Sequence, residues 1–314
     1  MTIQTNRIFV FIACMFAGYN VTGQNFEKCK CDSIIIVLET KSKTDSAYYS
    51  NLILAFNSCD DPYLRLSFSK EALDYATLIE NSQQIGYAHL MVGLAYQKLG
   101  LLKDAYNSFL NALTEYENTH NESGYINSCY YLARILAKDN RFEDAIIYSS
   151  KTLELYKSNG DSIRYASILL NIGEYNRNLG HYVQAKESFS ESINIFKIKK
   201  YDFGVAYGYG NIGLVYLAQD SLSLAVENLN KSLEILEPLS DNYSVSVYQE
   251  GLAHVYQKQK QYKKAEALAL QSLALALEDH LIEQIRDANF RLSEIYKESG
   301  AHLKAYQSHV AYVN

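Results

Sequence analysis

The sequence predicts an all-α fold, a right-handed α-α superhelix of about seven helix-turn-helix units with a period of 40 residues. Three observations predict it. Ala105, Ala145, Ala185, Ala225, Ala265 and Ala305 recur in one register without an insertion, and self-similarity on that scale marks a stacked array. A second register, twelve residues ahead of those alanines, holds Gly93, Ala133, Gly173, Gly213 and Ala253. Only Pro62 and Pro238 interrupt the chain, and long proline-free runs favour helix.

The N-terminus carries Arg7, an apolar run from Ile8 to Val21, and small residues before a cut after Gly23. That is the order of a secretory signal peptide, 1–23. The run is short for a bilayer span, so the mature chain is expected to be exported, periplasmic or secreted, with no membrane span. An uncleaved N-terminal anchor is the alternative. Lipoprotein attachment at Cys14 fits less well, because the residues after it stay apolar. Export favours disulfides, and Cys59 has two candidate partners in Cys29 and Cys31, ahead of the first helix. Cys129 falls on a packed face and reads as a buried thiol. Cys-x-Cys lacks further ligands nearby, so no metal is expected.

Residues 24–45 form an N-terminal capping segment. Asp32 and Ser33 can cap a helix from Ile34 to about Lys41, which would cover the open face of the array, as end units must. The array occupies 46–314, with units starting near 46, 86, 126, 166, 206, 246 and 286 and the last one incomplete. The eighth, twentieth and twenty-seventh residues are each small in six of the seven units, with Ile53, Arg65 and Tyr312 the exceptions, so that two antiparallel helices approach closely. Large residues at the eleventh place (Phe56, Tyr96, Leu136, Tyr216, Tyr256, Tyr296) fill the space between them. Asn176 breaks that register and is expected to be a soft spot.

This pattern resembles the tetratricopeptide repeat. In the second unit it reads Gly93, Tyr96, Gly100, Leu102, Ala105, Phe109 and Ala112, and the resemblance runs from about residue 46 to 314. The first unit departs from it at Ile53 and Arg65. The family unit is usually shorter by six residues, and the extra ones (80–85, 120–125, 160–165 and onward) are expected to lengthen the helices and their linkers. The longer unit, with a leader and a short Asp-Ser-Ile-Ile-Ile-Val-Leu helix, is similar to the extracytoplasmic sensor regions of Bacteroidetes-type histidine kinases and transcriptional regulators. By that register Asn314 lies inside the last helix of the seventh unit, whose apolar face then needs a partner.

Motifs for chemistry are weak. Gly208-Tyr-Gly-Asn-Ile-Gly213 matches a dinucleotide fingerprint in letters, but it lies inside a helical segment where the chemistry needs a strand-to-helix turn. Gly204, Gly208 and Gly210 should instead weaken that helix by roughly 1 kcal/mol each against alanine, either loosening the fifth unit or being absorbed by packing. The seven histidines lack metal spacing, no nucleophile constellation assembles, and a net charge of −6 without a basic stripe argues against nucleic acid. No enzyme activity and no cofactor are expected.

The functional argument lies on the first helix of each unit. At about 100° per residue, positions 4, 7, 8 and 11 pack, while 2, 5, 9 and 12 face the other way with 6 at the margin. The resemblance implies that this second stripe lines a concave groove. Its candidates are Tyr130, Arg134, Leu170, Asn171, Glu174, Arg177, Tyr207, Asn211, Leu214 and His254. Asparagine can bond both N–H and C=O of an extended backbone, so Asn171 and Asn211 suit holding a peptide or protein segment. The Lys/Asn/Arg clamp of chaperone-tail-binding relatives is absent, which disfavours a free C-terminal carboxylate. The reading is a non-catalytic scaffold, the sensor part of a signalling system. The alternative is an assembly element of the cell envelope, homodimeric through its C-terminal repeat.

Overall fold

The computed structural model describes residues 31–38 and 47–313, and over these it is helical, with no strand. The leader and Cys29 lie outside the described residues. The chain divides into two compact units after Thr152.

The first unit contains α1 (31–38), α2 (Tyr48–Ser58), α3 (Pro62–Leu78), α4 (Ser82–Lys98), α5 (Leu102–Asn118), α6 (Glu122–Lys138) and the start of α7 (Phe142–Ser158). The second contains α8 (Ser162–Asn178), α9 (Tyr182–Lys199), α10 (Asp202–Ala218), α11 (Leu222–Leu236), α12 (Asn242–Lys258), α13 (Tyr262–Glu278), α14 (Ile282–Glu298) and α15 (His302–Val313). A single 3₁₀ turn around Pro238, Glu237–Leu239, extends α11.

The extra residues of the longer unit go into helix. Most helices run 17 residues and the turns between them are three residues long, so the linkers are not lengthened. The turns repeat at half the period. Positions 80, 100, 120, 140 and so on to 300 all take positive φ; four are glycines, and the rest, such as Lys260 at 59°, are not. Each closes a helix in the left-handed conformation, with a return bond such as Leu101 N to Tyr96 O at 3.0 Å or Ala301 N to Tyr296 O at 2.8 Å. At the start of the first helices, Asn81, Asn121, Asp161 and Asp241 accept from backbone N–H groups.

α1 begins earlier than its sequence suggested. Asp32 and Ser33 lie within the helix rather than capping it. Ile34, Ile35 and Leu38 pack on a core that includes Tyr48, Leu52 and Phe56. Cys31 is bonded to Cys59, pinning this short helix at a sequence separation of 28. Cys129 is free and wholly buried, and burial pushes its thiol up to about 11, which makes it inert.

The small-residue registers sit where helices cross. Ala105, Ala145, Ala185, Ala225 and Ala265 are completely buried, while Ala305 on α15 is only partly covered. A Cβ on Gly93 would strike the ring of Phe109, one on Gly173 would lie 2.5 Å from Phe189 Cε1, and one on Gly213 2.7 Å from Leu229 Cγ. Position 8 therefore faces position 24 of the same repeat. Where position 8 grows to Ala133 or Ala253, position 24 shrinks to Ser149 or Ala269. The two positions trade size in opposite directions, as side chains that share one close-packed space must.

Gly204, Gly208 and Gly210 are not a loose joint. Their missing side chains leave room for Phe196, Ile193 and Tyr248, so packing absorbs the helix cost. Asn176 is not a void either: it is buried, and its Nδ2 donates to Ile172 O at 3.0 Å. No described helix is long and apolar enough to cross a membrane.

Candidate functional site

Within the second unit the first helices of successive repeats touch one another: α8 meets α10, α10 meets α12, and α12 meets α14. Side chains that turn away from their own second helix therefore collect on one face. Between α8, α10 and α12 they line an open cavity of about 360 Å³.

Seven of the sequence candidates line it: Leu170, Asn171, Glu174 and Arg177 from α8, and Tyr207, Asn211 and Leu214 from α10. The third wall, from α12, is Tyr243, Ser244, Val247 and Tyr248. Tyr207 is fixed in place. Its hydroxyl donates to Asp241 Oδ2 at 2.7 Å, and Asp241 Oδ1 in turn accepts from Ser244 N at the start of α12. Tyr248 lies below, buried, with its hydroxyl 3.4 Å from Tyr207 O. Burial first, and then the nearby acid groups, raise both phenols well above their ordinary range, so neither ionises at neutral pH.

The polar atoms are unequally occupied. Asn211 Nδ2 donates to Tyr207 O at 3.0 Å, leaving its carbonyl oxygen and one N–H for a ligand. Asn171 makes no side-chain hydrogen bond among the described residues. Arg177 Nε is out of contact with solvent and has no acceptor. Glu174, on the same helix, is exposed. Apolar walls with a few unsatisfied polar groups are the general form of a binding site.

Three other candidates are not part of this cavity. Tyr130 and Arg134 lie on α6 in the first unit, where the Arg134 guanidinium sits 5.4 Å from the Tyr130 ring centre. His254 is on α12 but belongs to a separate cluster. There Arg291 Nε donates to Glu250 Oε1 at 2.7 Å and its Nη1 to Gln257 Oε1 at 2.9 Å, while Gln257 Nε2 donates to Glu298 Oε1 at 2.7 Å. That network fills its own stretch of the face. Burial, then the charges of Arg291 and Lys258, hold the His254 imidazole down at about 4. No group of acidic, histidine and cysteine side chains able to hold a metal occurs among the described residues.

In the α12 wall, Tyr243 and Ser244 fall among residues 240–245, by which the longer unit exceeds the shorter one, while Tyr248 holds the third position, off the groove stripe, and Val247 holds the second, on the stripe, but is not among the candidates. A signal was present. The fifth position is large or polar in neighbouring repeats (Leu170, Glu250, Phe290) but is Gly210 in this one. The third position is small or aliphatic from the second repeat to the fifth (Ala88, Ser128, Ile168, Gly208) but is Tyr248 in the sixth. A Cβ on Gly210 would collide with that very ring.

Two stretches, residues 125–198 and 204–278, match the tetratricopeptide repeat family model. Kinesin light chain-related protein 3 of Arabidopsis thaliana is 26% identical over 219 residues, which are 64% of this chain and 33% of that protein. Tetratricopeptide repeat protein 29 of Macaca fascicularis is 24% identical over 273 residues, 86% of this chain and 52% of that protein. The chain thus spans a third to about half the length of these relatives. Among solved structures, the apo form of RapI superposes with a TM-score of 0.71 at 14% identity, covering 85% of this chain and 95% of that one. A Rap protein complexed with Competence and Sporulation Factor gives 0.63 at 13%, covering 99% and 91%. Likeness at such identities concerns the fold.

Proposed function

We propose that this chain is a tetratricopeptide repeat protein and a non-catalytic scaffold that holds an extended peptide or protein segment in the groove between α8, α10 and α12. The observation that carries the reading is the convergence of Leu170, Asn171, Arg177, Tyr207, Asn211 and Leu214 on one open cavity whose polar atoms are not used up internally. Asn171, with both amide ends unengaged, and Asn211, with its carbonyl and one N–H, can bond a strand's backbone without reading its side chains. Tyr207, braced by Asp241, supplies a rigid amphipathic wall that loses little entropy on binding. The Rap protein complexed with Competence and Sporulation Factor uses a comparable helical array, which supports a ligand-holding role for the fold.

Service as the sensor part of an exported signalling system is a further step. It rests on the leader-like N-terminus and on the likeness to Bacteroidetes-type sensors.

The reading is tested with Asn171→Ala/Asn211→Ala. Against a peptide selected from a display library on the wild-type chain, loss of two amide contacts at about 0.5–1.5 kcal/mol each should weaken binding by about tenfold or more. The thermal midpoint should barely move, since Asn171 makes no internal bond and Asn211 makes one within its own helix. Unchanged affinity would dispose of the groove assignment.

An assembly role is favoured by a different feature. α15 exposes Leu303, Tyr306 and Val313, each about two-thirds or more accessible, and contiguous exposed apolar surface marks contact sites. If this face joins two copies, Leu303→Glu/Tyr306→Glu should convert a dimer to a monomer in sedimentation analysis. A monomeric wild-type chain at high micromolar concentration would remove this reading.

A further inference from the structure

We infer that the segment held in this groove is anchored by a carboxylate on the Arg177 guanidinium. The inference rests on the groove reading and names the chemistry of its occupant. Its ground is a comparison of two equivalent places in the same chain.

In the last two repeats, the fifth and twelfth positions of one first helix and the sixth of the next close on themselves. They are Glu250, Gln257 and Arg291, joined by bonds of 2.7 and 2.9 Å, with Glu298 accepting from Gln257. In the fourth and fifth repeats the same three positions hold Leu170, Arg177 and Asn211. The cation has moved to the twelfth position. Leucine stands where the carboxylate was. The next helix offers an asparagine already bonded to its own backbone at Tyr207 O. Asn211 is much shorter than arginine, so the space that the Arg291 side chain fills in one place is a cavity of about 360 Å³ in the other.

Arg177 differs from Arg291 in that none of its N–H groups has an acceptor among the described residues, its Nε being shielded from water as well. Glu174, one turn away, does not supply it: it forms no ion pair with Arg177 among the described residues. Arg177 lines the cavity, and the two terminal Nη groups of a guanidinium present N–H donors end-on as a fork matching the two oxygens of a carboxylate. The ligand then does for Arg177 what Glu250 does for Arg291. Glu174 at the same wall repels a dianion more than a monoanion, which selects carboxylate over phosphate.

The test uses the full chain and pools of fluorescein-labelled nine-residue peptides of otherwise neutral random sequence, read by fluorescence anisotropy. One pool has a central Asp or Glu and an amidated end. A second is neutral and amidated, and a third is neutral with a free C-terminal carboxylate. The acidic pool should half-saturate at about tenfold lower concentration than the neutral amidated one. The advantage should shrink as salt rises from about 0.05 to 0.5 M and vanish in Arg177→Gln. Arg177→Lys, which keeps the charge without the fork, should retain only part of it. A gain confined to the third pool would assign the carboxylate to a chain terminus, with Arg177 in the same role. Equal binding of all pools by the wild-type chain would overturn this inference and leave the groove reading standing. Absence of binding by any pool would overturn both. The wild-type comparison does not depend on any variant folding, and an acidic preference that survives in folded Arg177→Gln would also sink the inference.

Discussion

Phe189→Ala is expected to cost about 3–5 kcal/mol, the range for removing a wholly buried phenylalanine whose surroundings cannot collapse. Collapse is blocked because the ring occupies the space left by a missing side chain at Gly173, on a helix held from both sides. Gly173→Ala tests the same contact from the other partner. Alanine gains about 1 kcal/mol of helix propensity, but its Cβ would lie 2.5 Å from Phe189 Cε1. Overpacking of that kind costs typically 1–3 kcal/mol, so the net change should be destabilising. The chain itself suggests the rescue. Ala133 with Ser149 is the natural alternative at these two positions. Gly173→Ala/Phe189→Ser should therefore be more stable than the sum of its single changes, by at least about 1 kcal/mol of coupling. Urea denaturation followed by circular dichroism measures all four corners. Repeat arrays can unfold in stages, so the comparison should use transitions whose slopes agree. Strict additivity, or a Phe189→Ala penalty under about 1 kcal/mol, would show that position 8 and position 24 do not share one space.

The repeat registers were legible because they are a backbone constraint. From the second unit on, the helix crossing at the twentieth position holds alanine without exception, so the alanines from Ala105 to Ala265 announce themselves by residue type alone. The stripe carrying Asn171, Arg177 and Asn211 was legible for a related reason, since the angle between residues on a helix is fixed. The rest depended on pairs. Gly210 alone does not say that Tyr248, one repeat later, will fill its place, which only the two deviations taken together suggest, and nothing in His254 says that Arg291 will close the surface beside it. The turns hid for a third reason. Left-handed closure recurs every twenty residues, but only Gly100, Gly160, Gly180 and Gly300 show it in sequence, while Lys260 and His280 take the same φ without a glycine's signature. The cysteine bridge was a choice between Cys29 and Cys31 that sequence spacing left open, and Cys31 is the one the structure joins to Cys59.

Arg291→Met is expected to destabilise the chain by about 2–4 kcal/mol at neutral pH, because it strands Glu250 in a site with little solvent. The dependence on pH identifies the cause. Desolvation already raises the Glu250 carboxyl above its ordinary 4.5, and Arg291 acts against that shift by its charge and its hydrogen bond. Removing Arg291 leaves the raising effect alone. An acid with a raised folded value contributes stability below its unfolded value and loses it as pH rises through the folded one. The deficit of Arg291→Met should therefore be small near pH 4.5 and grow toward neutrality. His254 works in the opposite direction. Its folded value is depressed to about 4 from 6.5, by burial first and by Arg291 next, so the wild-type chain should lose stability as pH falls from 6.5 toward 4. The loss should be about 1–2 kcal/mol once solvent screening of this half-buried ring is allowed for. In Arg291→Met that acid-side loss should shrink, since one of the charges opposing protonation is gone. Glu250→Leu/Arg291→Met replaces the pair by apolar side chains and should recover most of the lost stability. Thermal midpoints between pH 4 and 8 for the wild type and both variants decide the matter. Parallel curves would mean that the network is not what holds α12 to α14.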